Sequence, residues 1–245
     1  MSAPYYEDEW VTLWHGDCRE VTTWLEADVL VTDPPYGRSW TSGSGMTNAE
    51  GRGRGSKSHG GIANDHDTTV RDHALDLWLE DHSRALVFGD PLITQPRGAV
   101  QALVYAKPDD AGIKGAHAGF RRDVEMIYLV GSWPVGVGGQ SSILRTGALV
   151  AGPRGLSVRY EHPHAKPVDL IEGLLGCVLP HRGNQQEALD TAGRVVIADP
   201  FSGSGSTLIA ARHRGHRAIG VELDERYCEI AAKRLAQDTL FGGVA

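Results

Sequence analysis

Asp33, Pro34, Pro35 and Tyr36 follow one another directly at the end of the apolar run 28–32. Asp33 and Pro34 each precede a proline and are pushed toward extended backbone, while the two prolines have fixed φ and no amide hydrogen. The result is a stiff ledge carrying an acid, acceptor carbonyls and an aromatic ring. Those groups suit a planar amino group on an aromatic base. Its lone pair is delocalised into the ring, and hydrogen bonds from its two hydrogens to the Asp33 carboxylate and the Pro34 carbonyl would favour tetrahedral geometry, aiming the lone pair at an incoming methyl group. Stacking of the base on Tyr36 would contribute roughly 1–3 kcal/mol. The competing reading is a strand-ending turn without chemistry.

A second constellation lies at 195–211, "VVIADPFSGSGSTLIAA". It reads as a strand, a tight turn and a helix, the setting in which Gly203 and Gly205 let backbone approach a ligand closely. Glu222, 17 positions beyond Gly205, ends the next apolar run, where an acid can hydrogen-bond a ribose diol. A dinucleotide fingerprint would place its third glycine at position 208, which is Leu208, and no second nucleotide-binding half follows. S-adenosylmethionine therefore fits better than NAD. A ligand-free βα turn is the plain alternative.

The elements that must position these residues are short β-rich runs ending in polar or glycine residues: 11–17, 28–33, 84–90, 101–107, 124–131, 194–200 and 217–223. "STLIAARHRG" reads as a helix stopped by Gly215, and "DERYCEIAAKRLAQ" as a helix N-capped by Asp224. "HPHAKPVDLIEGLLG", 162–176, reads as a turn entering an apolar helix. Strands alternating with helices predict an α/β fold, a doubly wound and mostly parallel sheet. Residues 37–64, rich in Gly and Ser, are expected to be a mobile loop; residues 132–160 are Gly-rich and lack a period.

The 245 residues, 41% hydrophobic and 22% charged, have the composition of one ordinary globular domain. No run of about 18 apolar residues is present, and the acidic N-terminus lacks a signal pattern, so a cytoplasmic protein with no membrane contact is expected. Three distant cysteines suggest neither a disulfide framework nor a thiolate metal cluster. The pair His162 and His164 lacks a nearby third ligand, and no metal is expected. Net charge is −7, yet residues 37–64 hold Arg38, Arg52, Arg54 and Lys57 against Glu50 alone, and residues 145–166 hold Arg145, Arg154, Arg159 and Lys166 against Glu161 alone. Two such basic stretches are either solvated loops or a phosphate footprint.

"DPPY" resembles the catalytic motif of the amino-group DNA methyltransferases, which modify adenine N6 or cytosine N4, and "DPFSGSGST" resembles their cofactor loop. The order, catalytic motif first, is that of their beta class, known from bacteria and phages. The resemblance covers most of the chain. It implies a Rossmann-like methyltransferase fold with circularly permuted motifs, a seven-stranded sheet whose last strand is antiparallel. It divides the chain into a catalytic half (1–131), a short target-recognition region (132–160) and a cofactor-binding half (161–245).

By the same resemblance Asp33, Pro34, Pro35 and Tyr36 are catalytic. Asp17 contacts the cofactor adenine, and His162, Lys166 and Pro167 belong to a segment closing over its methionine end. Asp33, Asp199, Pro200, Phe201, Gly203, Gly205, Thr207, Glu222 and Leu223 complete the cofactor set. Lys107, Arg122 and Glu125 occupy familiar places, and Lys107 either touches phosphate or pairs with a strand-end acid. Arg38, Arg52, Arg54, Lys57, Lys107, Arg122, Arg145, Arg154 and Arg159 form the nucleic-acid-binding set. The implied activity is methyl transfer from S-adenosylmethionine to a flipped base of double-stranded DNA, adenine N6 by the leading Asp of the motif. Cytosine N4, an RNA amino group and a silent nucleic-acid-binding relative stay as alternatives, and a homodimer is left open.

Overall fold

The computed structural model describes residues 3–39, 62–109, 111, 118–133, 139–146, 165–179 and 195–241, with side chains of the last helix described to residue 237. Most of segments 37–64 and 132–160 lies outside these residues, as do Arg52, Arg54, Lys57, Arg154, Arg159 and His162.

All seven expected strands form: β2 (Val11–His15), β3 (Val29–Thr32), β4 (Arg84–Gly89), β5 (Ala99–Ala106), β6 (Val124–Gly131), β8 (Val196–Asp199) and β9 (Arg217–Glu222). Two short edge strands, β1 (Tyr6–Glu7) and β7 (Ile143–Arg145), extend the described sheet to nine, in the order β1-β2-β9-β8-β3-β4-β6-β5-β7. β2, β9, β8, β3 and β4 run parallel, and β6 is antiparallel to both of its neighbours, β4 and β5. The reversed strand of the seven is thus the fifth in this chain, a consequence of the permuted order.

β3 is wholly buried, as a central parallel strand must be. Its alternation sorts the core into two faces: Val29 and Val31 point to one side, Leu30 to the other. On the first side pack α2 (Val168–Val178), through Leu170, Ile171, Leu174 and Leu175, and α3 (Ser206–His213), through Leu208 and Ile209. Cys228, Ala231 and Leu235 of α4 (Glu225–Phe241) join them. On the second side lie a 3₁₀ turn, Thr23–Glu26, and a helix the sequence reading does not place, α1 (Thr69–Asp81). Its apolar positions Val70, Ala74, Leu75 and Trp78 keep helical spacing but are diluted by charged residues. The expected caps are present: Asp224 Oδ1 accepts the Arg226 amide at 2.9 Å, and Gly215, at φ +73°, follows α3. No described helix is long and apolar enough to cross a membrane.

From β3 the chain moves outward through β4, then returns at β8, on the other side of β3, and moves the other way to β9. Between β3 and β8 the direction of winding therefore reverses. In open α/β sheets that switch point, beyond the carboxyl ends of the strands, is where ligands bind. Because β6 is reversed, its first residues reach the same edge: Met126 pairs with Gly89 at the end of β4.

Candidate active site at the switch point

A cavity of about 490 Å³ opens at this edge. Its walls include Asp33–Tyr36 after β3, the turn Asp199–Ser204 after β8, Glu222 and Leu223 at the end of β9, and Asp17 and Lys166. The two constellations of the sequence, some 165 residues apart, thus line one chamber.

The Asp33 carboxylate is held at both oxygens. The Tyr36 hydroxyl donates to Oδ1 at 2.7 Å, and the Lys166 ammonium donates to Oδ2 at 2.5 Å. Lys166 lies 3.4 Å from Glu125 Oε2, and the other oxygen of Glu125 meets Lys107 Nζ at 2.7 Å. Burial pushes the Tyr36 phenol far up, with the Asp33 and Glu125 charges adding to it. For Lys166, burial favours the neutral amine, but Asp33 and Glu125 outweigh it and raise its pKa.

The backbone beyond Tyr36 is fixed by an acid that the sequence does not single out. Asp65 Oδ1 accepts the amides of Gly37 (2.8 Å) and Arg38 (3.3 Å), so the two ends of segment 37–64 are tied to each other. Gly37 has φ +79°, and a Cβ there would stand 2.8 Å from the Asp67 carbonyl carbon. No side chain larger than hydrogen fits this crossing.

The glycine turn is equally determined. Asp199, 2% exposed, accepts the Thr32 hydroxyl at 2.8 Å and the Phe201 amide at 3.1 Å, tying β3 to the turn after β8. Burial raises its pKa to about 7. Gly203 and Gly205 have φ of +50° and +80°, and Gly205 caps α3. The Glu222 carboxylate accepts the Gly203 amide at 2.7 Å and the Asp224 amide at 2.8 Å, and burial raises its pKa as well. Leu208 is explained by its partner: a Cβ on Gly220 of β9 would meet the Leu208 side chain at 2.8 Å, so clearance between helix and strand comes from the strand.

Pro34 and Pro167 are buried, Pro200, Phe201 and Thr207 line the cavity, and Leu223 is exposed at its mouth. Asp17 also faces the cavity and is paired with Arg19, whose hydrogen bonds hold its carboxyl below the usual range. Of the basic residues, Arg38 is ion-paired with Asp90 and Lys107 with Glu125, whereas Arg122 and Arg145 are exposed. Arg145 pairs in register with Ala106, which brings it to the edge that carries the cavity. Lys166 lines the same cavity and is ion-paired with Asp33 and Glu125.

Residues 57–233, more than two thirds of the chain, match the N6/N4 methyltransferase family, described as DNA methylase. The chain belongs to this family. It is 27% identical over 227 residues to YubD of Escherichia coli (strain K12), a protein named as a methylase, covering 90% of this chain and 88% of that one. It is 36% identical over 77 residues to the type II methyltransferase M.ScaI of Streptomyces caespitosus, a match spanning 31% of this chain and 21% of that protein. The fold is that of solved DNA methyltransferases. It superposes on the M1.HpyAVI–SAM complex with TM-score 0.55 at 16% identity, covering 91% of this chain and 99% of that one. For the cytosine-N4-specific PvuII DNA methyltransferase the TM-score is 0.57 at 14% identity, with coverage of 95% and 89%.

Proposed function

We propose that this methylase transfers a methyl group from S-adenosylmethionine to the N6 amino group of adenine in double-stranded DNA. The observation that carries the reading is the convergence of Asp33 and Tyr36 with the glycine turn and Glu222 on one cavity at the switch point. The cavity volume lies within the range of small-molecule sites. The residues fit the donor's nucleoside. Gly203 and Gly205 present bare backbone, and the Glu222 carboxylate, though it accepts two amides, keeps further lone pairs for ribose hydroxyls. Asp17 and Leu223 stand where the adenine end would be received.

Bound there, S-adenosylmethionine supplies a methyl group on a sulfonium, a leaving group that needs no acid. The protein's task is then positioning and electrostatics. The target base must leave the duplex stack to reach the cavity. Tyr36 offers a ring for it to stack on, the Asp33 carboxylate and the Pro34 carbonyl accept the two amino hydrogens, and the nitrogen lone pair turns toward the methyl. The nitrogen gains a bond to the methyl carbon as the sulfur–carbon bond breaks, its electron pair staying on sulfur and leaving the neutral thioether S-adenosylhomocysteine, and the nitrogen loses one proton, to Asp33 or to water. Exposed Arg122 and Arg145 on the same edge, with the basic residues of 37–64 and the target-recognition region 132–160, are the proposed phosphate and base contacts. Adenine is favoured by Asp as the first residue of the motif.

The test is Asp33→Ala. Methyl transfer to duplex DNA should be lost while affinity for S-adenosylhomocysteine stays within several-fold. A variant that loses cofactor affinity but retains normal residual turnover overturns the assignment of Asp33.

A further inference from the structure

We propose that Lys166 is a positioning residue for Asp33: its buried ammonium, braced by Glu125 and Lys107, holds the carboxylate in the orientation that receives the amino group, and it acts through Asp33 and not on the methyl donor. The proposal rests on the role given to Asp33 above.

Lys166 is 8% exposed, and its ammonium is bracketed from four directions. Asp33, at the end of β3, lies at 2.5 Å and Glu125, on β6, at 3.4 Å. The ring centroids of Tyr36 and Phe88 stand 5.5 Å and 5.2 Å away, within cation–π range. Pro167, which opens α2, biases Lys166 toward extended backbone, and the burial of Leu170 and Ile171 fixes that helix against the sheet. The side chain is therefore delivered from outside the catalytic motif to one place.

The charges explain why a lysine is there. Asp33, Glu125, Lys166 and Lys107 sum to zero, so the cluster can be buried without an uncompensated ion. Other acids surround Asp33: Asp199 ends β8 and raises its own pKa partly through the Asp33 charge, and Asp90 follows β4 and is matched by Arg38. Tyr105 of β5 lies within the fields of both Glu125 and Lys166. Among the described groups, Lys166 is the cation in contact with Asp33. With Tyr36 on Oδ1 and Lys166 on Oδ2, the carboxylate cannot turn freely, and each oxygen keeps a further lone pair for an amino hydrogen.

The experiment uses the full chain, duplex DNA and S-adenosylmethionine. Single-turnover methyl transfer is measured from pH 5.5 to 9, and S-adenosylhomocysteine affinity by calorimetry, for the wild type, Lys166→Met, Lys166→Arg and Glu125→Gln. Lys166→Met should slow transfer at pH 7 by tenfold or more and move the acid limb of the rate profile up by about one unit, with cofactor affinity within threefold. Lys166→Arg, which keeps the charge, should restore the limb. Glu125→Gln removes a like charge facing Asp33 and should move the limb the other way, which keeps the test intact if Lys166→Met does not fold. An unmoved limb, or a loss of affinity beyond tenfold, overturns the proposal. A wild type that binds S-adenosylhomocysteine but methylates no DNA refutes the methylation reading instead. The Lys166–Asp33 link is then judged by a urea-unfolding cycle of Lys166→Met with Asp33→Asn, where coupling of at least tenfold in the folding constant is expected and additivity overturns it.

Discussion

Replacing Asp199 by Asn should make the pH dependence of stability reveal a carboxyl kept neutral by burial. Asp199 is 2% exposed, and its pKa rises from an ordinary 3.8 to about 7. Each unit is worth 1.36 kcal/mol, so about three units correspond to about 4 kcal/mol. The folded state holds this proton more tightly than the unfolded chain, so between about pH 4 and pH 7 the folded protein binds more protons. Stability contributed at this site is therefore present at low pH, falls as pH rises through that window, and levels off above about 7. Asn keeps an acceptor for the Thr32 hydroxyl and the Phe201 amide but cannot ionise. The stability of Asp199→Asn minus that of the wild type should grow by about 1.4 kcal/mol per pH unit between pH 5 and 7, and then stay constant. Urea unfolding at pH 5, 6, 7 and 8, followed by tryptophan fluorescence, measures it. Parallel wild-type and variant curves across this range would refute the reasoning, whatever their constant offset.

Three further outcomes are expected. Glu222→Ala leaves the Gly203 and Asp224 amides without their acceptor and removes the group proposed for the ribose, so S-adenosylhomocysteine affinity should fall tenfold or more by calorimetry; an unchanged affinity would confine Glu222 to bracing the turn. Gly37→Ala, at φ +79° and with its new methyl 2.8 Å from the Asp67 carbonyl carbon, should destabilise the protein by about 1–3 kcal/mol in urea unfolding, and no loss would mean that the crossing relaxes. The short, Gly-rich stretch 132–160 offers few polar side chains for base readout, which predicts a target of about four base pairs or fewer and strong salt dependence. Sequencing methylated positions in a random DNA library checks this, and a strict motif of six or more base pairs would contradict it.

The seven longer strands were legible because each is a short apolar run with a polar or glycine stop. α1 was not, since Arg71, Asp72, His73 and Asp76, between Val70 and Trp78, mask its spacing. Both motifs of the site stand out locally: prolines fix one and glycines the other. What binds them together does not. Asp65 is one acid in "NDHD", Glu125 one acid in an apolar strand, and Lys166 sits 133 residues from Asp33. Only the folded sheet, with β6 reversed, brings β3, β5, β6 and the start of α2 to one charge cluster. Charge counting had the same blindness: Arg38 and Lys107 count as basic in the sequence, yet Asp90 and Glu125 neutralise them in place. Leu208, which breaks a dinucleotide fingerprint, makes sense once Gly220 is seen across from it.

The central claim is the transfer of methyl to an adenine amino group, and the product tests it most directly. The full chain is incubated with duplex DNA and S-adenosylmethionine, the DNA is digested to nucleosides, and these are identified by mass spectrometry. The account predicts N6-methyl-2′-deoxyadenosine, absent when Asp33 is Ala. N4-methyl-2′-deoxycytidine would contradict the choice of base, and unmodified DNA from a protein that binds S-adenosylhomocysteine would contradict the transfer itself.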